Sequence, residues 1–206
     1  MTERLLNELV IFFVVLDPLG MVPIFWALTH KGSRAYQTRM AAFGVGVSAL
    51  ILLLFAFVGR GFLELFGISM PAFRIAGGIL LFLLSIDMIF ARQSGLRSTT
   101  PAERAEAEHK EDISVFPLAF PLIAGPGAMT TVLLFAERPE GSLEFGVTIG
   151  VMLFVLGLVL TALLSADILM RRMGETGANV VSRLLGLILA ALSVQYVMDG
   201  IREGLL

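Results

Sequence analysis

Six long apolar runs, separated by shorter polar stretches, constrain this chain more than any other feature of its sequence. The runs occupy residues 5–29, 40–59, 73–91, 113–136, 145–169 and 180–201. A helix needs about 20 apolar residues to cross a bilayer, and lipid cannot satisfy unpaired backbone groups, so runs of this length form helices. The sequence therefore predicts an all-α membrane protein with six transmembrane helices in contact with membrane lipid.

The composition argues against several classes of function. Hydrophobic residues make up 57% of the chain and charged residues 16%, whereas soluble domains carry about a quarter charged residues. There is no cysteine, and the two histidines, His30 and His109, are far apart, so we expect no disulfide and no metal site. The absence of hydrolase, zinc-protease and phosphate-loop motifs predicts no enzyme and no cofactor. The absence of a basic patch predicts no nucleic-acid partner.

One long charged stretch divides the chain into two halves. Residues 92–112 carry mixed charge, and we interpret them as a solvated linker between a first three-helix unit (1–91) and a second (113–206), all within one membrane domain. A regulatory partner site in this stretch is the alternative interpretation.

The loop charges predict an orientation in the membrane. Nine Lys and Arg residues lie in the first, third and fifth loops (Lys31, Arg34, Arg39, Arg92, Arg97, Arg104, Lys110, Arg171 and Arg172). Four lie on the other side (Arg4, Arg60, Arg138 and Arg202). Because the positive side faces the cytoplasm, we expect the linker inside and both termini outside.

Two sets of matching residues indicate an internal repeat. Pro18 and Pro126 are 108 residues apart in the first and fourth runs, and Arg74 and Arg183 are 109 apart in the third and sixth. Three helices per half means that the second half enters the membrane from the opposite side. The sequence therefore predicts two inverted three-helix repeats.

Proline and glycine interrupt the first and fourth runs at corresponding positions. The interruptions centre on Pro18 and Gly20 in one half and on Gly125, Pro126 and Gly127 in the other. These residues break or unwind helices, and broken helices at membrane depth leave backbone groups for a solute. Kinks made only for packing are the alternative, and the pattern does not distinguish re-entrant hairpins from unwound spans.

Four kinds of polar side chain are candidates for the site. Asp17, near the middle of its span, needs a partner or a role at that depth; it either binds an ammonium group or a proton, or caps a helix. Thr130 follows the second break, and Gln195 lies centrally in the sixth run. Arg74 and Arg183 either gate the two sides as salt bridges or extend to water.

The two runs that contain the interruptions are distinctive: Leu16-Asp-Pro-Leu-Gly-Met-Val-Pro-Ile-Phe25 and Pro117-Leu-Ala-Phe-Pro-Leu-Ile-Ala-Gly-Pro-Gly-Ala-Met-Thr-Thr-Val132. Both runs resemble the MarC family of bacterial inner-membrane proteins. The likeness covers essentially the whole chain. It implies six spans in the bacterial cytoplasmic membrane, and transport of small neutral amino acids such as alanine and glycine.

These observations together predict a secondary transporter of a small zwitterionic solute that works by alternating access. Coupling to H⁺ or Na⁺, the direction of transport and assembly into a homo-oligomer stay open. A non-transporting membrane scaffold or regulatory protein is the main alternative, and a passive channel is a third.

Overall fold

The computed structural model describes residues 2–90, 112–137 and 142–205. Within these ranges the chain is helical and contains no β-strand. The helices, numbered in chain order, are α1 (Thr2–Leu16), α2 (Met21–Thr29), α3 (Arg34–Leu65), α4 (Met70–Ile89), α5 (Ser114–Ile123), α6 (Pro126–Glu137), α7 (Ser142–Leu164) and α8 (Ala166–Leu205).

Five segments are long and apolar enough to cross a membrane, and one bent pair of helices supplies a sixth. The five are Glu3–Thr29, Arg34–Leu65, Met70–Ile89, Leu143–Leu164 and Ala166–Leu205. The sixth consists of α5 and α6, whose axes are bent by 59° at their junction. The prediction of a multi-pass helical membrane protein with interrupted first and fourth segments is confirmed. The inverted repeat stays a prediction.

The four shorter stretches between the apolar runs are all partly helical, and two of them show why. The predicted loop 30–39 is a short turn, because Ser33 Oγ accepts a hydrogen bond from Tyr36 N and α3 begins at Arg34. The predicted turn 170–179 lies inside α8, which bends at Gly174 (φ 63°, ψ 178°). Only glycine adopts that conformation readily. Hydropathy does not predict that α8 includes these residues, because residues outside the bilayer can be helical without being apolar. The predicted linker, except Asp112, lies outside the described residues.

Helices α4 and α8 form the most extensive helix pair, and glycines allow their backbones to approach closely. Gly78 faces the Ser193 carbonyl, Gly186 faces Met88, and Gly200 faces the Pro71 carbonyl. These contacts run in opposite order along the two helices, so the helices are antiparallel. Small residues at such a crossing increase van der Waals contact, which replaces the hydrophobic effect as a driving force within lipid.

The first span lies at the centre of the bundle. Helix α1 packs against α6, α7 and α8, and Phe12, Val15 and Leu16 are fully buried. Helix α3 instead exposes large apolar side chains, including Phe43 and Leu50, as expected of a helix that faces lipid. The part of the first span next to its interruption is thus shielded from lipid by neighbouring helices.

A Gly78→Ala substitution should destabilise the protein, because the added Cβ would lie 2.8 Å from the Ser193 carbonyl oxygen. We expect the free energy of unfolding in detergent micelles to fall by about 1–3 kcal/mol, as for other overpacked interiors. Gly46→Ala is the matched control, since no atom lies within 4 Å of its added Cβ. Equal stability of the two variants would contradict the close packing of α4 on α8.

Candidate functional site

The first break separates α1 from α2 at residues 17–20. Pro18 has no N–H, and its ring disfavours the α-helical conformation in the preceding residue. Asp17 leaves the α-helical conformation and adopts a left-handed one with φ 44°, which aspartate tolerates better than most residues. The Asp17 N–H still donates to the Phe13 carbonyl at 2.9 Å, and the Asp17 carbonyl accepts from Met21 N at 3.1 Å. The backbone therefore stays hydrogen-bonded on both sides of the break.

The Asp17 carboxylate holds the break together from inside the bundle. Asp17 is only 2% exposed to solvent. Oδ1 accepts from the Gly20 N–H at 3.0 Å, and Oδ2 accepts from the Ser182 hydroxyl of α8 at 3.2 Å. A Cβ on Gly20 would lie 2.0 Å from Oδ2, so only glycine fits there. Asp17 thus caps the start of α2, and its bond to Ser182 also links the break to α8.

The second broken span begins with wide, irregular turns in α5. Phe116 and Phe120, which precede Pro117 and Pro121, have extended φ/ψ angles, as expected of residues before proline. The Ala124 N–H donates to the Ala119 carbonyl at 2.8 Å, five residues back. Helix α5 starts beside Asp112, whose carboxylate accepts from the Ser114 hydroxyl and N–H. These bonds lower the pKa of Asp112 below its usual value.

The two breaks approach each other in the bundle. Helix α6 starts immediately after Gly125, and Gly127 in its first turn packs against Leu81 and Leu84 of α4. A Cβ on Gly127 would also lie 4.0 Å from Val15, two residues before Asp17. The structure therefore brings the end of α1 and the start of α6 together beside α4.

Thr130 lies on the buried face of α6. It is 3% exposed, and its methyl group packs directly on Gly77 of α4. The neighbouring Thr131 hydroxyl donates to the Gly127 carbonyl at 2.9 Å, which satisfies a carbonyl in the first turn of the helix. Both threonines thus support the second break.

Three other predicted residues lie elsewhere. Gln195 is on the exposed face of α8, where its side-chain amide donates to Asp199 at 2.8 Å. Arg183 is also exposed on α8, whereas Arg74 is 3% exposed and forms an ion pair with Glu203. The two arginines that match in sequence therefore have different surroundings.

The sequence did not identify Ser182 or the crevice beside the first break. A serine in an apolar helix is common, so nothing in the sequence marks Ser182 as the partner of Asp17. The crevice is narrow and apolar and runs from the first break to the bend in α8. Its lining residues are Leu19, Val22, Leu169, Met170, Met173, Gly174 and Ala178.

Within the described ranges, no three His, Asp or Glu side chains converge to form a metal-binding group. The polar atoms at the breaks are one carboxylate, hydroxyls and backbone groups. Such a set offers hydrogen-bond donors and acceptors and one negative charge.

Comparison with known proteins gives matches along almost the whole chain. Residues 2–205 match the model of the MarC family integral membrane protein. The chain is 39% identical to a UPF0056 membrane protein of Methanocaldococcus jannaschii, covering 94% of each sequence. It is 33% identical to the UPF0056 inner membrane protein YhgN of Escherichia coli, covering 97% of each. No solved structure matches significantly.

Substitutions of Asp17 should separate its backbone role from its charge. Asp17→Ala removes the cap and places alanine at a positive φ, so we expect the free energy of unfolding in micelles to fall by about 1–3 kcal/mol. Asp17→Asn keeps an oxygen acceptor and tolerates this conformation, so its stability should stay close to that of the wild type. Equal losses in both variants would show that the negative charge itself stabilises the fold.

Proposed function

Because the chain belongs to the MarC family of integral membrane proteins, we propose that it is a secondary transporter of small neutral amino acids or similar zwitterions. The observation that carries the proposal is the meeting of two broken spans beside a buried carboxylate. Multi-pass membrane proteins with paired breaks of this kind use the interrupted backbone to contact solute near the midplane. We place the site between Asp17 and the start of α6.

The two breaks differ in charge, and the difference suggests how a zwitterion would be oriented. At the first break the Asp17 carboxylate already caps the start of α2, so this end repels a second anion and attracts an ammonium group. The first turn of α6 has no acidic residue. The backbone N–H groups that follow Pro126 and the helix dipole favour a carboxylate. A solute amine at Asp17 and a solute carboxylate at α6 fit this pattern.

The helix packing supports an alternating-access mechanism. Of the helix pairs that the predicted repeat would relate, α3 with α7 and α4 with α8 contact each other. That is the arrangement expected around a pseudo-two-fold axis in the membrane plane. We propose that one half rocks against the other around the site, and that the close α4–α8 contact guides this movement.

The proposed location is the bacterial inner membrane, with both termini outside. The printed name of the relative YhgN describes an inner membrane protein, and the loop charges favour this orientation. An impermeant reagent added to intact cells would label an introduced cysteine near either terminus if the orientation is as proposed.

The decisive experiment is uptake of labelled alanine by proteoliposomes that contain the purified protein. We expect saturable uptake in the wild type, and at least a tenfold loss in Asp17→Asn, because the substitution removes the charge that binds the ammonium group. Glu64→Gln is the matched acid-to-amide control, since Glu64 is exposed and pairs only at the surface with Arg60 at 3.0 Å. Its uptake should equal that of the wild type.

Full uptake by a folded Asp17→Asn protein would exclude the proposed role of Asp17. Absence of saturable uptake of alanine and glycine in sealed wild-type vesicles would contradict the proposed substrate class. The scaffold interpretation would then predict that deletion of residues 92–112 abolishes the cellular phenotype while substitutions at the breaks have no effect.

A further inference from the structure

A second buried polar cluster joins α1 and α7, away from the two breaks. It consists of Arg4, Glu8, Glu144 and Thr148, and we call it the α1–α7 cluster. Arg4 Nε donates to Glu8 Oε1 at 2.8 Å, and Arg4 Nη1 pairs with Glu144. The side chains of Arg4 and Glu144 are about one-third exposed, at 30% and 33%. One helical turn further along each helix, Glu8 on α1 and Thr148 on α7 are fully buried.

Several polar atoms of the cluster lack hydrogen-bond partners in the described part of the chain. They are Glu8 Oε2, Thr148 Oγ1 and Arg4 Nη2, and all three are buried. A buried acceptor or donor without a partner is costly, and more so for a charged group. An acidic side chain inside a membrane span is expensive and usually marks a proton or ion pathway. Packing alone does not explain why Glu8 is placed here.

Few charged groups surround Glu8. On α1 itself, Arg4 faces it and Glu3 is exposed. Helix α7 contributes only Glu144, and residues 126–136 of α6 carry no charge. Helix α8 meets α1 through Ser182 at Asp17, and its neighbour Arg183 is exposed. Within the described residues, Arg4 is therefore the cation that faces the Glu8 carboxylate.

We propose that Glu8 binds and releases the proton that couples the transporter to a proton gradient. A hydronium ion transfers its proton to Oε2 and becomes water; an O–H bond forms on the carboxylate, and the side chain becomes neutral. The buried hydroxyl of Thr148 on α7 also lacks a partner within the described residues, and we expect it to accept from the protonated Glu8 through one water. The partly exposed Arg4 and Glu144 lie between Glu8 and the membrane surface, which gives the proton a polar path.

The surroundings of Glu8 favour a proton over sodium. The Arg4 guanidinium contacts the same carboxylate, and its positive charge repels a metal cation at that distance. A sodium ion also needs several oxygen ligands, whereas a proton needs one acceptor. A proton neutralises Glu8 and at the same time gives Oε2 a hydrogen atom to donate.

The proton site can be tested without any transport assay. Infrared spectra of the purified full-length protein, recorded over a pH series, should contain a C=O stretching band of a protonated carboxylic acid. The band should be absent in Glu8→Gln and unchanged in Glu3→Gln, an exposed control on the same helix. Thr148→Val should shift the band without removing it, because the acid loses its acceptor. Spectra of Glu8→Gln identical to those of the wild type would overturn the proposal.

The coupling role rests on the proposed function and needs the proteoliposome assay. An imposed pH gradient should drive alanine accumulation in the wild type, and accumulation should fall at least tenfold in Glu8→Gln while alanine exchange without a gradient continues. Gradient-driven accumulation by Glu8→Gln would overturn the coupling role, as would accumulation driven by sodium at equal pH. If the wild type transports no solute, the proposed function fails, and the infrared band alone decides whether Glu8 binds a proton.

Discussion

Every interrupted helix in a membrane must satisfy the backbone groups that the interruption releases, and the rest of this structure depends on how that is done. At the first break the Asp17 carboxylate bonds the Gly20 N–H and also the Ser182 hydroxyl of α8. At the second, wide turns in α5 supply bonds across five residues. Surrounding helices shield both breaks, because irregular backbone is tolerated at membrane depth only within protein or beside water.

The sequence predicted those features that depend on local chemistry. Proline and glycine lower helix stability wherever they lie, so the interruptions around Pro18 and Pro126 were predictable. Apolar length determines whether a segment can span, so the crossing helices were predictable too. The bend of α8 at Gly174 was not, because hydropathy gives no signal for helix that continues outside the bilayer.

Contacts between distant residues could not be predicted. Arg74 and Arg183 occupy matching positions in sequence, yet Arg74 is buried beside Glu203 and Arg183 is exposed. That difference arises from the end of α8, which no local pattern encodes. Glu8 was missed for a similar reason: near a helix end, an acidic residue has no distinguishing signal, and its burial depends on packing against α7. The proposed solute and proton sites therefore both contain groups that only the fold identifies.

The most direct test of alternating access uses the absence of cysteine from the chain. Leu19→Cys places one thiol in the crevice beside the first break, where Leu19 lines the wall with Gly174. An impermeant thiol reagent is applied to either side of oriented proteoliposomes, with and without alanine. We predict labelling from both sides, and slower labelling when alanine is saturating. Labelling from one side only, or at a rate that alanine does not change, would contradict the account.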